Sequence, residues 1–191
     1  MCGRYYIEID DKELREIADE VEKNRYDCPG QMIIKTSGEI FPADIVPVRT
    51  GLNQYMPMQW GFSGPGGKPI INARSETALQ KTMFRQSMSE RRCLIPASGY
   101  YEWQRSGPAK TKYQFRLPGG IMFLAGCYRP EHAGSVFNFV ILTRPAAGGI
   151  EDIHERMPVI IPREHIETWL YKSPNTIEYA LRDLLYYPAQ M

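Results

Sequence analysis

The densest run of strand-forming residues in the chain reads Arg92-Cys-Leu-Ile-Pro-Ala-Ser-Gly-Tyr-Tyr-Glu-Trp-Gln104. Aromatic and branched residues fill this run and the segments after it, which is typical of β-strands. Turn residues separate the segments at Gly107-Pro108 and Pro118-Gly119-Gly120. The pattern predicts strands over residues 92–96, 100–104, 112–117, 121–128 and 136–143.

The segments around this block predict helices and a few more strands. A strand over 3–9 precedes a helix that Asp10 or Asp11 caps, which runs to about residue 24. The apolar residues of that helix share one face; they are Leu14, Ile17, Ala18 and Val21. Short extended pieces follow in 38–58, then a helix over 76–90, a strand over 157–161, and helices over 163–170 and 176–185. Because strands outnumber helices without alternating regularly, we expect a single α+β domain over 1–191, with a curved, mostly antiparallel, barrel-like sheet flanked by helices.

Composition excludes several classes of protein. The 191 residues are 43% hydrophobic and 24% charged with a net charge of +1, so a nucleic-acid role requires a local basic patch. No segment approaches the roughly 20 apolar residues of a membrane span, and the N-terminus does not resemble a secretory signal. The four cysteines and three histidines do not form a zinc-finger spacing. We therefore expect a cytoplasmic protein with reduced thiols, no metal and no cofactor.

The chain begins Met1-Cys2-Gly3-Arg4, and Cys2 is its most informative position. Removal of Met1 would give Cys2 a free α-amine beside its thiol, with ordinary pKa values of about 7.7–8.0 and about 8.5. Such a 1,2-aminothiol attacks an aldehyde first through nitrogen and then through sulfur, closing a thiazolidine ring. Taken alone, a cysteine at this position is more simply an accident of a short N-terminus.

Two further segments contain polar residues suited to binding. In 71–77, Asn72 and Arg74 point to the same face of an extended strand, while Ser75 or Glu76 caps the helix that follows. Asn72 offers a donor and an acceptor, and the guanidinium groups of Arg74 and Arg4 suit phosphate or carboxylate.

Two candidates for proton transfer lie in otherwise apolar surroundings. Glu102 is either solvated or buried and poised for proton transfer, and alternation along its strand favours the solvated position. His154 precedes a strand in His154-Glu155-Arg156-Met157-Pro158, and Arg156 would share its face. A lone histidine is more often structural than catalytic.

Together these segments resemble the SOS-response-associated peptidase (SRAP) family of abasic-site processing proteins. The resemblance rests on four motifs in order; they are Met-Cys-Gly-Arg, Asn-Ala-Arg-Ser-Glu-Thr, Arg-Cys-Leu-Ile-Pro-Ala-Ser-Gly-Tyr-Tyr-Glu-Trp and His-Glu-Arg-Met-Pro. It implies that the processed Cys2 crosslinks to the aldehyde of an abasic site in single-stranded DNA through a thiazolidine, which protects the lesion during the DNA damage response. It also implies residence in the nucleoid when DNA is bound.

The resemblance also implies roles for individual residues. Cys2 would be the nucleophile, Glu102 would hold or deprotonate its α-ammonium, His154 would move protons and Asn72 would orient the cysteine or the sugar. The remaining expected contacts are to DNA: Arg4, Arg74 and Arg156 would bind phosphates, and Trp60 would stack on a base. A core position for Trp60 is an equal alternative.

Two other functions stay open at this point. Glutamine amidotransferases of the N-terminal-nucleophile type also begin Met-Cys-Gly, but they require an oxyanion hole that the sequence does not suggest. The second alternative is a module that binds single-stranded DNA without covalent chemistry and in which Cys2 is inert. The peptidase activity in the family name would amount to removal of Met1 or to release of the adduct.

Overall fold

The structure is a computed structural model that describes residues 2–23, 33–51, 54–106, 109–131, 137–172 and 184–189. Thirteen strands and four α-helices lie within these ranges. In chain order they are β1 Tyr5–Ile7, α1 Lys12–Lys23, β2 Gly38–Ile40, β3 Ile45–Thr50, β4 Tyr55–Trp60, β5 Asn72–Arg74, α2 Ser75–Ala78, α3 Thr82–Glu90, β6 Arg92–Ala97, β7 Gly99–Ser106, β8 Ala109–Arg116, β9 Met122–Arg129, β10 Phe137–Pro145, β11 Arg156–Pro158, β12 Ile160–Ile161, α4 Ile166–Tyr171 and β13 Leu185–Pro188.

Five strands close into a barrel, in the order β10, β4, β3, β6 and β9, with β9 returning to β10. The β10–β4 pair is parallel, with Phe137 opposite Met58, and the other four pairs are antiparallel. Closure leaves no free edge among these five strands. Strands β5, β11 and β12 extend the barrel by pairing with β10 and β9.

A second sheet is antiparallel throughout, in the order β13, β8, β7, β1 and β2. The chain passes from the barrel to this sheet at Ser98, whose backbone N–H donates to the Tyr6 carbonyl over 2.9 Å. The next residue must be glycine, because a Cβ on Gly99 would lie 2.1 Å from the carbonyl oxygen of Phe115. This crossing places β7, with Glu102, beside β1, which follows Cys2. The α+β class with a barrel and flanking helices is confirmed.

The first helix follows the sequence prediction closely. The side-chain oxygen of Asp11 accepts from the N–H groups of Glu13 and Leu14, and the four predicted apolar residues of α1 are buried. The helix predicted over 76–90 is instead two helices, α2 and α3, because Lys81 adopts extended backbone between them. No helix among the described residues is long and apolar enough to cross a membrane.

Two predictions fall wholly or largely on residues that the structure does not describe. The turn at 107–108 lies outside the described residues, and so does the helix over 176–185 except for its last two positions. Of these, Leu185 begins β13 rather than ending a helix. The helix over 163–170 is present as a 3₁₀ turn, Arg163–His165, that leads into α4.

Candidate active site

Cys2 lies three residues before β1, which pairs with β7. The β1–β7 ladder pairs Tyr5 with Tyr100, and one more bond, from the Tyr101 N–H to the Arg4 carbonyl over 2.9 Å, extends it towards Cys2. The Cys2 side chain is fully buried. Burial, and then the nearby carboxylate of Glu102, raise the pKa of the Cys2 thiol well above its ordinary value. The thiol is therefore held protonated near neutral pH.

Asn72, the first residue of β5, holds the backbone of Cys2. Its side-chain Nδ2 donates to the carbonyl oxygen of Cys2 over 2.9 Å. The position of Asn72 is itself set by the parallel pairing of β5 with β10, in which Asn72 lies opposite Ile141. The predicted association of Asn72 with Cys2 is thus present across 70 residues of sequence.

Glu102 is 3% exposed, so the solvated position favoured by alternation is wrong. The neighbours of Glu102 in sequence, Tyr101 and Trp103, point to the opposite face of β7, where they are half-buried. Both faces of β7 are thus covered, at least in part. A polar residue between two aromatic residues is therefore not a sign of solvent exposure on this strand. The inner face carries the carboxylate towards Cys2 and His154.

His154 approaches Glu102 from the loop before β11. Its Nε2 lies 3.9 Å from Oε2 of Glu102, which is longer than a hydrogen bond but within ion-pair range. The Nδ1 atom of His154 lies 3.0 Å from the Arg156 backbone nitrogen and 3.2 Å from the Arg156 carbonyl oxygen, so the backbone of Arg156 orients the imidazole with Nε2 towards the carboxylate. The loop is held to β7 because Gln104 Nε2 donates to the Asp152 carbonyl over 2.8 Å.

Glu102 and His154 line an open cleft of about 670 Å³. Trp103 and Lys110 also line it, and sequence reasoning assigned neither residue to the site. The Arg4 guanidinium lies 5.0 Å from the Trp103 ring, so the tryptophan joins the cleft to the segment around Cys2. The only signal in the sequence was that Trp103 is adjacent to Glu102.

The predicted phosphate-binding arginines differ in their surroundings. Arg4 lies 3.1 Å from a carboxylate oxygen of Glu39 and stacks 4.3 Å from the Phe41 ring. Arg156 is nearly buried; it makes a bidentate ion pair with Glu76 and donates to the Thr143 carbonyl over 2.7 Å. That hydrogen bonding lowers the pKa of Glu76 to about 2.

Arg74 is exposed and forms no ion pair with any residue that the structure describes. Trp60, by contrast, is fully buried, with its Nε1 donating to the Ile71 carbonyl over 3.0 Å. Its ring stacks on Phe139 at 6.3 Å inside the barrel. The prediction that Trp60 stacks on a base is corrected, because a ring without exposed surface offers no face to a nucleobase.

The fold and the arrangement around Cys2 define one class of protein. The chain belongs to the SOS response associated peptidase (SRAP) family, whose model matches residues 1–191. Among curated relatives, the abasic site processing protein YoaM of Bacillus subtilis is 31% identical over 206 residues, covering 99% of this chain and 87% of YoaM. The abasic site processing protein YedK of Escherichia coli is 29% identical, over 89% of this chain and 79% of YedK.

Solved structures show the same fold. An X-ray structure of a protein from Bordetella bronchiseptica superposes with a TM-score of 0.76 at 22% identity, covering 100% of both chains. A second, from Bacteroides thetaiotaomicron, superposes with a TM-score of 0.74 at 20% identity and covers 99% of this chain and 92% of its own.

Proposed function

We propose that this protein processes abasic sites by forming a covalent adduct with single-stranded DNA through Cys2. After removal of Met1, the α-amine of Cys2 condenses with the C1′ aldehyde of the open abasic sugar, forming a C=N bond and releasing one water. The thiol then adds across that bond: sulfur bonds to C1′ and the thiol proton passes to nitrogen. The product is a thiazolidine, with one water lost overall.

One observation carries this proposal: Asn72 donates to the Cys2 carbonyl and Glu102 lies near the Cys2 thiol, while His154 Nε2 is 3.9 Å from Glu102. A cysteine that only packs in the core does not require a carboxylate–imidazole pair beside it. Cys93 provides the contrast within this molecule, because it is equally buried but the group that raises its thiol pKa after burial is Cys127 and not a carboxylate. Clustering of titratable groups in a cleft is typical of catalytic sites.

The chemistry of thiazolidine formation sets an order of events. The amine attacks first, because the thiazolidine ring closes only when the thiol adds to the C=N bond that the amine has formed. Before that attack, Glu102 accepts a proton from the α-ammonium, which frees the amine lone pair, and His154 moves protons as the sugar ring opens and the imine forms. General acid–base help of this kind supplies about 10²–10⁴-fold in rate. Asn72 holds the Cys2 backbone so that the α-nitrogen and the sulfur of Cys2 can both bond to C1′ of the sugar.

DNA binding would rest on phosphate contacts from Arg4, Arg74 and Arg156. Arg74 is available without rearrangement, whereas a phosphate at Arg4 or Arg156 would compete with Glu39 or Glu76. A single strand suits the site, because an abasic sugar within a duplex would have to turn out of the helix for its C1′ to reach Cys2. The contacts position the strand without reading its sequence.

The test is a denaturing gel of the protein mixed with a uracil-containing oligonucleotide pretreated with uracil glycosylase. We expect a shifted band that resists denaturation and is lost in Cys2→Ala. The matched control is Cys93→Ala, which removes an equally buried thiol and should keep the band. A band that survives Cys2→Ala, or no band from protein shown by mass to lack Met1, refutes the proposal.

Two assays address the alternatives. An N-terminal-nucleophile amidohydrolase would release ammonia from glutamine, and we expect none. A non-covalent single-strand binding module would keep its DNA affinity in Cys2→Ala without ever having formed a denaturant-resistant adduct.

A further inference from the structure

Two buried tyrosines lie opposite each other near Cys2. Tyr5 on β1 pairs with Tyr100 on β7, so their side chains point to the same face of the sheet. Both residues are fully buried, and neither hydroxyl makes a hydrogen bond with any residue in the described ranges. A buried hydroxyl without a partner destabilises a fold, and phenylalanine would fill nearly the same space without that cost. Packing alone therefore does not account for these hydroxyls.

Tyr100 shares its face of β7 with Glu102. The two residues are two positions apart in the strand, which places both side chains on the inner face. The Tyr100 ring stacks on Phe115, with ring centroids 4.6 Å apart and ring planes 6° from parallel. This stacking fixes the direction of the Tyr100 hydroxyl on the side of the strand that carries the carboxylate.

The electrostatics place the Tyr100 hydroxyl close to both the thiol and the carboxylate. Burial raises the pKa of this hydroxyl well above its ordinary value, and the charges of Cys2 and Glu102 raise it further. The Tyr5 hydroxyl differs, because after burial the charges that raise its pKa are those of Asp44 and Cys2. Of the two tyrosines, Tyr100 is thus the one that lies near both Cys2 and Glu102.

Closure of a thiazolidine requires a proton to leave the sulfur of Cys2. Cys2 has no exposed surface, so bulk water cannot take that proton directly. A neutral tyrosine hydroxyl is both a donor and an acceptor, so it can take up one proton and release another in the same step. Such a step avoids a buried thiolate or phenolate, whose desolvation would be costly.

We infer that the Tyr100 hydroxyl relays the proton of the Cys2 thiol to Glu102 during ring closure. The hydroxyl oxygen accepts the thiol proton while its own proton passes to the carboxylate, and a sulfur electron pair forms the bond to C1′. The electron pair of the C=N bond moves to nitrogen, which then takes the proton from Glu102. Tyr100 and Glu102 therefore end as they began, as a neutral hydroxyl and a carboxylate.

The inference rests on the proposed function and assigns a residue to its second bond-forming step. Glu102 must be a carboxylate again when that step begins. His154, whose Nε2 lies 3.9 Å from Glu102, carries the earlier α-ammonium proton away to the open cleft that both residues line. Tyr100 then acts on closure of the ring and not on formation of the imine.

The test separates these two steps by stopping the reaction at successive times with borohydride, which reduces the imine to an amine. The adducts are then denatured and treated with a thiol-alkylating reagent. Because the chain contains four cysteines, an adduct stopped as the imine takes up four labels, whereas a thiazolidine adduct takes up three. We expect Tyr100→Phe to form adduct at the wild-type rate but to pass from four labels to three about 10²-fold more slowly, the lower end for general acid–base catalysis.

Tyr5→Phe is the matched control, because it removes an equally buried hydroxyl directly opposite Tyr100. It should close the ring at the wild-type rate, and urea titration should show both variants to be at least as stable as the wild type. Replacing Tyr100 by 4-fluorophenylalanine fills the space of the hydroxyl without supplying a proton, and it should close the ring as slowly as Tyr100→Phe. Restored closure with the fluorinated residue would show that the hydroxyl only fills space, which overturns the inference.

The outcomes distinguish the inference from the proposed function. If the Tyr100→Phe adduct carries three labels as early as the wild-type adduct, or if Tyr5→Phe closes the ring equally slowly, the relay is wrong while the crosslinking function stands. If the wild type forms no adduct at all, the crosslinking function fails and the relay fails with it.

Discussion

Replacing Asn72 by alanine removes the hydrogen bond that holds the Cys2 carbonyl from the side of β5. The bond is 2.9 Å long and partly buried, so its loss leaves an acceptor unsatisfied at a cost of about 1–3 kcal/mol. Because the bond positions Cys2, we expect that cost to appear in the rate of adduct formation as a slowing of roughly 5- to 150-fold. The assay is single-turnover adduct formation at saturating abasic DNA, under conditions in which urea titration shows the variant to be fully folded.

Asn138→Ala is the matched control. Asn138 also donates from Nδ2 to a backbone carbonyl, that of Gly61 over 2.7 Å, but on β10 of the barrel away from Cys2. Its loss should lower the free energy of unfolding without changing the adduct rate. If Asn72→Ala reacts at the wild-type rate, or if Asn138→Ala slows the reaction equally, the positioning role of Asn72 is refuted.

Four other variants test the remaining parts of the site. Glu102→Gln and His154→Gln should each slow adduct formation by about 10²-fold or more while DNA affinity is kept, and unchanged kinetics would remove them from the mechanism. Arg74→Ala should lower the salt dependence of DNA binding by about 0.7, and a slope equal to wild type would show that Arg74 meets no phosphate. Glu76, with its pKa lowered to about 2, stabilises the fold above its ordinary pKa of 4.5, and this stabilisation is lost as pH falls towards 2. The exposed Glu76 side chain limits the effect to about 1 kcal/mol, so Glu76→Gln should flatten urea stability between those pH values; unchanged acid sensitivity contradicts the pairing with Arg156.

Local patterns predicted the elements whose structure depends on neighbours in sequence. The apolar face of α1 follows from a period of 3.6 residues, and its cap follows from an aspartate at the expected position. The strands from β6 to β10 follow from branched and aromatic residues. Closure of the barrel could not be predicted in this way, because the parallel pairing of β10 with β4 joins residues nearly 80 positions apart.

The residues of the site also differ in how far the sequence alone predicts their positions. Cys2, Asn72, Glu102 and His154 were predicted as a group only through the motifs that resemble a known family. The burial of Glu102 could not be predicted, because alternation shows which residues share a face of β7 but not that other elements cover both faces. The bidentate pairing of Arg156 with Glu76 and the burial of Trp60 likewise depend on residues that only the fold brings together.

The central claim is that both the nitrogen and the sulfur of Cys2 bond to the abasic sugar. The most direct test is to denature the purified adduct, treat it with a thiol-alkylating reagent and measure its intact mass. The chain contains four cysteines, so free protein should take up four labels. The account predicts an adduct mass equal to protein without Met1 plus DNA less one water, with one label fewer than the free protein. A full set of labels on the adduct would show that the Cys2 thiol is not bonded and would contradict the account.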